Sequence, residues 1–154
     1  MTRLAVFLAT AGYSGYFPIA PGTVGSAVGL LVYLLVWWTQ SPLVEVALIA
    51  AAFLAGTWAA THAERFFGGI DPGPVVIDEV LGMLVTLAFI PVGIPGAVAG
   101  FFLFRVFDVI KPYPANRLEK FHGGFGIMAD DAMAGVYANL SLRLLIWLLP
   151  AWVH

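Results

Sequence analysis

The chain contains 154 residues, of which 61% are hydrophobic and only 10% are charged, and its mean hydropathy is +0.94. An average soluble domain carries about 25% charged residues, so this composition excludes an ordinary water-soluble monomer and a disordered chain. Seven Lys and Arg against nine acids exclude a nucleic-acid-binding protein, and the absence of Cys excludes disulfides, thiolate zinc sites and cysteine nucleophiles.

The first half of the chain contains two apolar runs that predict a helical hairpin. They follow a short predicted N-terminal helix and a loop rich in Gly and Pro, and they cover about residues 24–38 and 43–61. Only Gln40-Ser41-Pro42 joins them. Because a membrane-spanning helix needs about 17–25 apolar residues, runs of this kind predict an all-helical membrane protein, organised as one domain over residues 1–154.

The third apolar run, 80–104, contains two Pro and two Gly between positions 91 and 96. These residues remove backbone donors and favour a turn. We therefore expect a re-entrant hairpin with arms of about 11 residues, each roughly 17 Å long. Such a hairpin places the acidic residues before this run and those before the fourth run, 132–152, on one face of the membrane. A straight crossing would separate them.

The positions of Lys, Arg and Trp predict the orientation in the membrane. With the hairpin, six of the seven Lys and Arg lie on one side, which the positive-inside rule assigns to the cytoplasm. Four Trp lie at the other ends of their runs, where an aromatic belt is expected: Trp37, Trp38, Trp147 and Trp152. Packing inside the protein core is the alternative explanation for these Trp.

Five acidic residues lie next to apolar runs. Asp78-Glu79 precedes the third run, Asp130-Asp131 immediately precedes the predicted fourth helix, and Asp108 lies between the two pairs. Helix capping would explain one acid at each helix start, but each site uses two in a chain with only nine acids. Adjacent carboxylates repel each other unless a cation lies between them. We therefore predict a divalent-metal site with oxygen ligands, which favours Mg²⁺ before Ca²⁺ or Mn²⁺.

Arg105, Asp108 and Lys111 are spaced three residues apart, which places them along one stripe of a helix that Pro112 ends. A solvated helix face with ion pairs would show the same spacing. However, the stripe follows a 25-residue uncharged run, where exposing charge to lipid is expensive. Cations beside metal-binding acids suit a phosphate group, whose charge a metal and Lys or Arg share during transfer.

Two weaker patterns extend the predicted phosphate site. Residues 20–26 open the first long helix, where backbone amides can bind phosphate, and they offer Thr23 and Ser26 as substrate contacts. Helix capping and close packing explain the same residues equally well. Lys120 and His122, in the loop before the second acidic pair, are further candidate substrate ligands, and histidine suits acid–base chemistry near neutral pH. A headgroup-facing surface is the alternative there.

Two charges lie inside apolar runs. Arg143 is about eleven residues into the fourth run, so it must reach the interface or find a partner. Glu45 is the acid inside the second run and is the predicted partner of Arg143.

Taken together, these segments resemble the phosphatidylglycerophosphatase A family of bacterial inner-membrane lipid phosphatases over nearly the full length. The most specific segments are the last two of four: Ala20-Pro-Gly-Thr-x-Gly-Ser26, Asp78-Glu79-Val80-x-Gly82-Met83, Phe104-Arg-x-Phe-Asp-x-x-Lys-Pro112 and Gly123-Gly-x-Gly-Ile-Met-x-Asp-Asp-x-x-Ala-Gly135. Tyr113 departs from the family pattern, which has a second proline there, and it is not a proposed ligand.

The resemblance implies Mg²⁺-dependent hydrolysis of phosphatidylglycerophosphate to phosphatidylglycerol and phosphate, on the cytoplasmic face of the inner membrane. It also implies a compact all-helical fold around a central helix. It assigns all five acids to the metal and places Arg105 and Lys111 near the phosphate. From the residues themselves we expect catalytic roles for Asp131, Asp130, Asp108, Lys111 and Arg105. Two mechanisms stay open, namely attack by a metal-activated water and attack by an aspartate that forms an acyl-phosphate.

Other functions compete with this one. A CDP-alcohol phosphatidyltransferase is also small, helical and Mg²⁺-dependent, but it would show Asp-Gly-x2-Ala-Arg-x8-Gly-x3-Asp-x3-Asp, whereas Val109 follows Asp108 here. Membrane phosphatases with a histidine nucleophile would show Lys-x6-Arg-Pro and Pro-Ser-Gly-His, which this sequence lacks. An ion transporter also keeps acids among apolar helices, but it more often places them near the membrane midplane.

Overall fold

The computed structural model describes residues 2–149, and all regular secondary structure within this range is helical. A 3₁₀ turn at Ser14–Tyr16 accompanies seven α-helices, which are α1 Thr2–Ala9, α2 Pro21–Trp37, α3 Pro42–Phe67, α4 Ile77–Leu87, α5 Ile94–Ile110, α6 Ala115–Leu118 and α7 Gly124–Leu148. The all-helical prediction is confirmed. The helices α2 and α3 are joined by the predicted short polar link but do not pack as a hairpin, since α2 packs mainly against α4 and α3 packs mainly against α1 and α7.

The centre of the fold is α4, which packs against α2, α3, α5 and α7. Eight of its 11 residues are buried, although it is one of the shorter helices. Met83 and Leu87 of α4 form one apolar core with Tyr33 of α2, Phe104 of α5 and Leu142 of α7. The expectation of a central helix is confirmed, and this helix carries two of the predicted metal ligands in its first turn.

Glycines let α2 and α7 approach α4 closely. A Cβ atom at Gly25 would lie 2.7 Å from Cβ of Val76, and one at Gly135 would lie 2.6 Å from the carbonyl oxygen of Gly82. Neither position has room for a side chain. The backbones of α2 and α7 therefore lie directly against α4 and the residue before it, as small residues allow at membrane helix interfaces. For Gly25, close packing is therefore the correct explanation.

The hairpin predicted within residues 80–104 is present as α4, a short loop and α5. The helix α4 ends at Leu87, α5 begins at Ile94, and the Tyr33 hydroxyl donates a 3.0 Å hydrogen bond to the Ile90 carbonyl in the loop between them. Because the chain reverses here, the C-terminal end of α5 lies at the same end of the molecule as the first turn of α4.

The helix α7 begins at Gly124, eight residues before the predicted start of the fourth run, so Asp130 and Asp131 lie inside it. The prediction that this pair precedes the helix, and the capping alternative, are therefore wrong. A tertiary contact overrides the turn preference of the Gly-rich segment, because the Gly124 amide donates a 2.9 Å hydrogen bond to Oγ1 of Thr61 in α3. A Cβ atom at Gly124 would lie 2.7 Å from the Thr61 nitrogen.

Glu45 and Arg143 do not form the predicted ion pair within residues 2–149. Arg143 Nε donates a 2.8 Å hydrogen bond to Asn139 Oδ1, and its Nη2 lies 3.4 Å from the carbonyl oxygens of Ala88 and Phe89. Glu45 Oε2 accepts a 2.8 Å hydrogen bond from the Phe89 amide. Both charges therefore bind the loop between α4 and α5, whose backbone supplies a donor to one and acceptors to the other.

Two features relate the fold to a membrane. The 26-residue helix α3 is long and apolar enough to cross a membrane, and only 17% of its most apolar 18-residue stretch is buried within the protein. Trp37, Trp38 and Trp147 are 44%, 84% and 77% exposed, so they are not core residues and fit the predicted aromatic belt. Trp152 of that prediction lies outside the described residues.

Candidate active site

Three carboxylates from two helices converge at one end of the molecule. Asp78 and Glu79 lie in the first turn of α4, Asp131 lies in the second turn of α7, and one oxygen from each lies within 4.8 Å of the other two. Asp78 and Asp131 are only 7% and 3% exposed. The hairpin prediction therefore succeeds in its main consequence, because acids 52 residues apart in the sequence occupy one site.

One oxygen of each of these carboxylates has no hydrogen-bond donor beside it within residues 2–149. Within the described part of the chain, Asp78 Oδ1, Glu79 Oε2 and Asp131 Oδ2 are buried and accept no hydrogen bond. Burial, together with the charges of Glu79 and Asp131, raises the pKa of Asp78 well above its ordinary value, and burial raises the pKa of Glu79 to about 7. A cation between the carboxylates would supply the missing partner and favour their ionised forms. The donor set, all carboxylate oxygen, fits a hard divalent ion.

The other two predicted ligands, Asp108 and Asp130, contact cations of the protein itself. Arg105 Nη1 forms a salt bridge with Asp108 Oδ2, and Lys111 Nζ lies 2.6 Å from Asp130 Oδ2. Glu119 adds a second carboxylate 3.0 Å from Lys111 Nζ. The structure thus brings the acids and the two basic residues to one site. Asp108 and Asp130 are paired with basic side chains, whereas Asp78, Glu79 and Asp131 form the separate carboxylate cluster.

The end of α5 positions this stripe as the sequence predicts. Arg105 and Asp108 are one turn apart on the helix, which ends at Ile110, and Lys111 follows in a left-handed conformation with φ +45° before Pro112. From this turn the Lys111 side chain reaches Asp130 of α7. Arg105 and Lys111 are about one-quarter exposed, so a ligand can reach both.

Residues 20–26 contact the site through a glycine instead of a hydroxyl group. A Cβ atom at Gly22 would overlap Glu79 Oε1 and lie 3.2 Å from Arg105 Nη1. Ser26 is fully buried and its hydroxyl donates a 2.8 Å hydrogen bond to the Gly22 carbonyl, so the structure supports a packing role for it and brings it to no substrate surface. Thr23 is exposed, and no side chain caps the start of α2.

Lys120 and His122 are not among the contacts of the carboxylate cluster. His122 instead lines a cavity of about 390 Å³ with Thr61, Glu64 and Arg65, on the side of α7 that faces α3. Lys120 is exposed and forms no ion pair within residues 2–149. The loop that carries them therefore faces the surface, as the alternative explanation expected.

One acid near the site has no predicted role in the sequence. Asp71 lies within electrostatic range of Asp78, Asp130 and Lys111. Asp71 has φ +48°, a left-handed conformation that Asp adopts more readily than most residues. Its position in an Asp-Pro-Gly-Pro turn was the available signal, but a turn alone does not say where its carboxylate points.

Residues 7–146 match the family model of phosphatidylglycerophosphatase A. The chain belongs to this family. Curated phosphatidylglycerophosphatases A of Haemophilus influenzae and Escherichia coli K12 are each 36% identical to it, over 81% and 80% of this chain and 78% and 72% of their own lengths. A Bacteroides thetaiotaomicron protein described as "Putative phosphatidylinositol-3-phosphatase" is 36% identical over 95% of this chain and 96% of its own. No solved structure matches significantly.

Membership in the phosphatidylglycerophosphatase A family makes the protein a phosphatase that acts on phosphate monoesters. The matched range includes all three carboxylates, Arg105 and Lys111. A site with buried acids that fit a cation, beside two basic side chains, has the charge pattern that phosphoryl transfer requires.

Proposed function

We propose that this protein hydrolyses the terminal phosphate monoester of phosphatidylglycerophosphate, with Mg²⁺ held by Asp78, Glu79 and Asp131. The observation that carries the proposal is the group of three carboxylates beside Arg105 and Lys111, each with a buried oxygen that has no hydrogen-bond partner among residues 2–149. The family and its curated phosphatidylglycerophosphatase A members support the substrate. An all-oxygen donor set supports Mg²⁺ over Zn²⁺.

Arg105 and Lys111 bind the phosphate in this proposal. When bound, the metal ion would neutralise phosphate oxygens and lower the pKa of a nearby water. Arg105 and Lys111 present charged donors to the remaining oxygens, and Asp108 and Asp130 hold these two side chains in place before the substrate arrives. Asp108, Asp130 and Asp131 thus all act in the site, but of these three only Asp131 would hold the metal, together with Asp78 and Glu79.

Water is the proposed nucleophile. Its oxygen attacks phosphorus, the bond between phosphorus and the glycerol oxygen breaks, and the departing glycerol oxygen takes up a proton. An attacking aspartate would leave a phosphorylated carboxylate on the enzyme. Acid quenching during single turnover with labelled substrate tests this choice. We expect no labelled protein, and a labelled aspartate would replace water attack with the covalent route.

The proposed location of the site is the cytoplasmic face of the inner membrane. The basic residues at the carboxylate end of the molecule include five of the seven Lys and Arg, namely Arg65, Arg105, Lys111, Arg117 and Lys120. Arg143 is at the other end, beside the loop between α4 and α5. The positive-inside rule assigns the basic end to the cytoplasm, and the apolar helix α3 supports insertion in the membrane.

Phosphate release by the purified full-length protein in detergent tests the proposal. We expect release from phosphatidylglycerophosphate with Mg²⁺, none after chelation, and recovery when Mg²⁺ is restored. Phosphatidylinositol 3-phosphate is the second substrate to assay, because the Bacteroides relative matches nearly the whole chain. Faster release from the inositol lipid would replace the proposed substrate while keeping the site. Release that is unaffected by chelation would contradict the metal assignment.

A further inference from the structure

An apolar groove of about 660 Å³ lies between α3, α4 and α7. Each helix contributes a strip of small or aliphatic side chains to its walls and floor: Ala50 and Leu54 of α3, Leu81 and Val85 of α4, and Ala132 and Val136 of α7. Leu81 is fully buried at the floor, whereas Leu54 and Val136 are exposed at the rims. The groove therefore opens sideways, towards the surroundings of the helices.

The groove exists because α3 and α7 meet along only half of their lengths. Near the carboxylate end they touch, since a Cβ atom at Gly56 would lie 2.8 Å from Sδ of Met128, and Thr61 binds the Gly124 amide. Beyond Gly56 the two helices carry small residues at the facing positions, such as Ala50 and Ala132, and leave the space between them unfilled.

The lining offers hydrocarbon and almost no polar surface. Asn139 is the polar side chain among the lining residues, and both ends of its amide are already used. Its Nδ2 donates to the carbonyl oxygens of Val85, Thr86 and Ala88 at 3.0–3.1 Å, and its Oδ1 accepts from Arg143. A ligand in this groove therefore has nothing to hydrogen-bond with, so the groove suits an alkyl chain and no polar headgroup.

We infer that this groove holds one acyl chain of the lipid substrate, an inference that rests on the proposed function. The groove begins next to the site: Ala132 follows Asp131, and Leu81 lies one helical turn beyond Asp78. From there it continues along α7 to Leu140, eight residues or about 12 Å further. One leaflet of a bilayer has a hydrocarbon depth of about 15 Å, so the groove has the length of one leaflet.

The chemistry of the substrate fits the separation between groove and carboxylates. On α7, Ala132 faces about 100° away from Asp131, so the groove lies beside the metal site instead of directly beneath it. The hydrolysed phosphate of phosphatidylglycerophosphate is separated from the acyl chains by a glycerol, a phosphodiester and the second glycerol. A headgroup of that length passes from the groove to the metal site while the second acyl chain stays in the surrounding lipid.

Filling the groove with a large side chain tests the inference. Ala50→Trp places an indole in the groove from an exposed rim position, and Ala51→Trp makes the same change at the next residue of α3, which is exposed and does not line the groove. Both proteins are assayed in one detergent with dipalmitoyl phosphatidylglycerophosphate and with its deacylated headgroup. The deacylated headgroup has no chain that could enter the groove.

We expect Ala50→Trp to lower kcat/KM for the palmitoyl substrate at least about tenfold, mainly through KM, since this is the cost of displacing roughly two methylene groups. Release of phosphate from the deacylated headgroup should change by less than about twofold, and Ala51→Trp should leave both substrates unaffected. Val136→Trp, on the opposite wall, should repeat the result and removes dependence on one variant folding well.

Three results would overturn the inference or its basis. Normal kcat/KM of Ala50→Trp for the palmitoyl substrate would show that no chain occupies the groove. An equal loss on both substrates, with a smaller particle mass in detergent than the wild type, would identify a second copy of the chain as the occupant. Wild-type protein that releases phosphate from neither substrate would overturn the proposed function itself, which is a different outcome from a groove without a chain.

Discussion

The two ends of the central helix α4 differ in whether the charged side chains around them have hydrogen-bond partners in the protein. At the end formed by Leu87 and the following loop, Glu45 and Arg143 find backbone partners, and Asn139 uses its whole amide. At the end formed by Asp78 and Glu79, buried carboxylate oxygens accept no hydrogen bond from any residue between 2 and 149. Polar groups whose needs are met within the fold contribute to stability, whereas charges left unpaired in the interior of the protein indicate a ligand.

Asp131→Asn should have the largest effect of the substitutions at the carboxylate end, and it should act on activity instead of stability. Removal of one ionised ligand should lower phosphate release from phosphatidylglycerophosphate by roughly a thousandfold or more, because the metal site loses charge and a ligand. The same change removes repulsion with Asp78 and Glu79, so in metal-free buffer the variant should melt at the wild-type temperature or above it. Activity assays and thermal melts in detergent check both parts. Retained turnover would remove Asp131 from the metal site.

Lys111→Ala should have the next largest effect on catalysis. The substitution removes a proposed phosphate ligand and leaves the buried Asp130 without its 2.6 Å partner, so we expect a loss of roughly a hundredfold in kcat/KM together with lower stability. Lys111→Arg is the matched control because it keeps the charge and should recover most of the stability. If Lys111→Ala lost stability but kept wild-type kcat/KM, Lys111 would only support Asp130.

Gly22→Ala should affect the site less, through packing alone. The added methyl group would overlap Glu79 Oε1 and approach Arg105, so Glu79 must turn away from the other two carboxylates. We expect a weaker apparent Mg²⁺ affinity, by about tenfold, in titrations of activity. Gly69→Ala is the control, since a Cβ atom there meets nothing within 4 Å. Equal behaviour of the two variants would show that the start of α2 does not shape the metal site.

Glu45→Ala should leave catalysis unchanged and lower stability, because Glu45 lies at the opposite end of α4 from the carboxylate cluster. It removes the acceptor for the Phe89 amide, and we expect a loss of about 1 kcal/mol in the free energy of unfolding, with wild-type kcat/KM below the melting temperature. Glu45→Gln keeps an oxygen acceptor and should recover the stability. A large loss of activity in Glu45→Ala at low temperature would mean that the two ends of α4 are coupled.

The sequence predicted the architecture of the site better than its individual contacts. The cluster of Pro and Gly between 91 and 96 predicted the reversal between α4 and α5, and the reversal explains why Asp78 and Asp131 meet. Residue type and hydropathy are sufficient for that argument, because a turn in an apolar run has few alternatives.

The pairing of charges could not be predicted, because it depends on how helices rotate about their axes. Arg105, Lys111 and Asp108 belong to one stripe in the sequence, yet Lys111 reaches α7 through a left-handed turn that its residue type does not signal. The predicted pair Glu45 and Arg143 failed for a related reason, since loop carbonyls and amides compete with side chains as partners and leave no trace in the sequence.

The close approach of α4 and α7 at Gly82 also sets the spacing of the carboxylates. A methyl group on Gly82 would overlap the ring of Phe104 and lie 3.1 Å from the carbonyl oxygen of Asp131. The interaxial distance between the two helices is therefore fixed by an uncharged backbone contact one turn from Asp78. Any ion held by these acids would meet a span set as much by the missing side chain of a glycine as by the acids themselves.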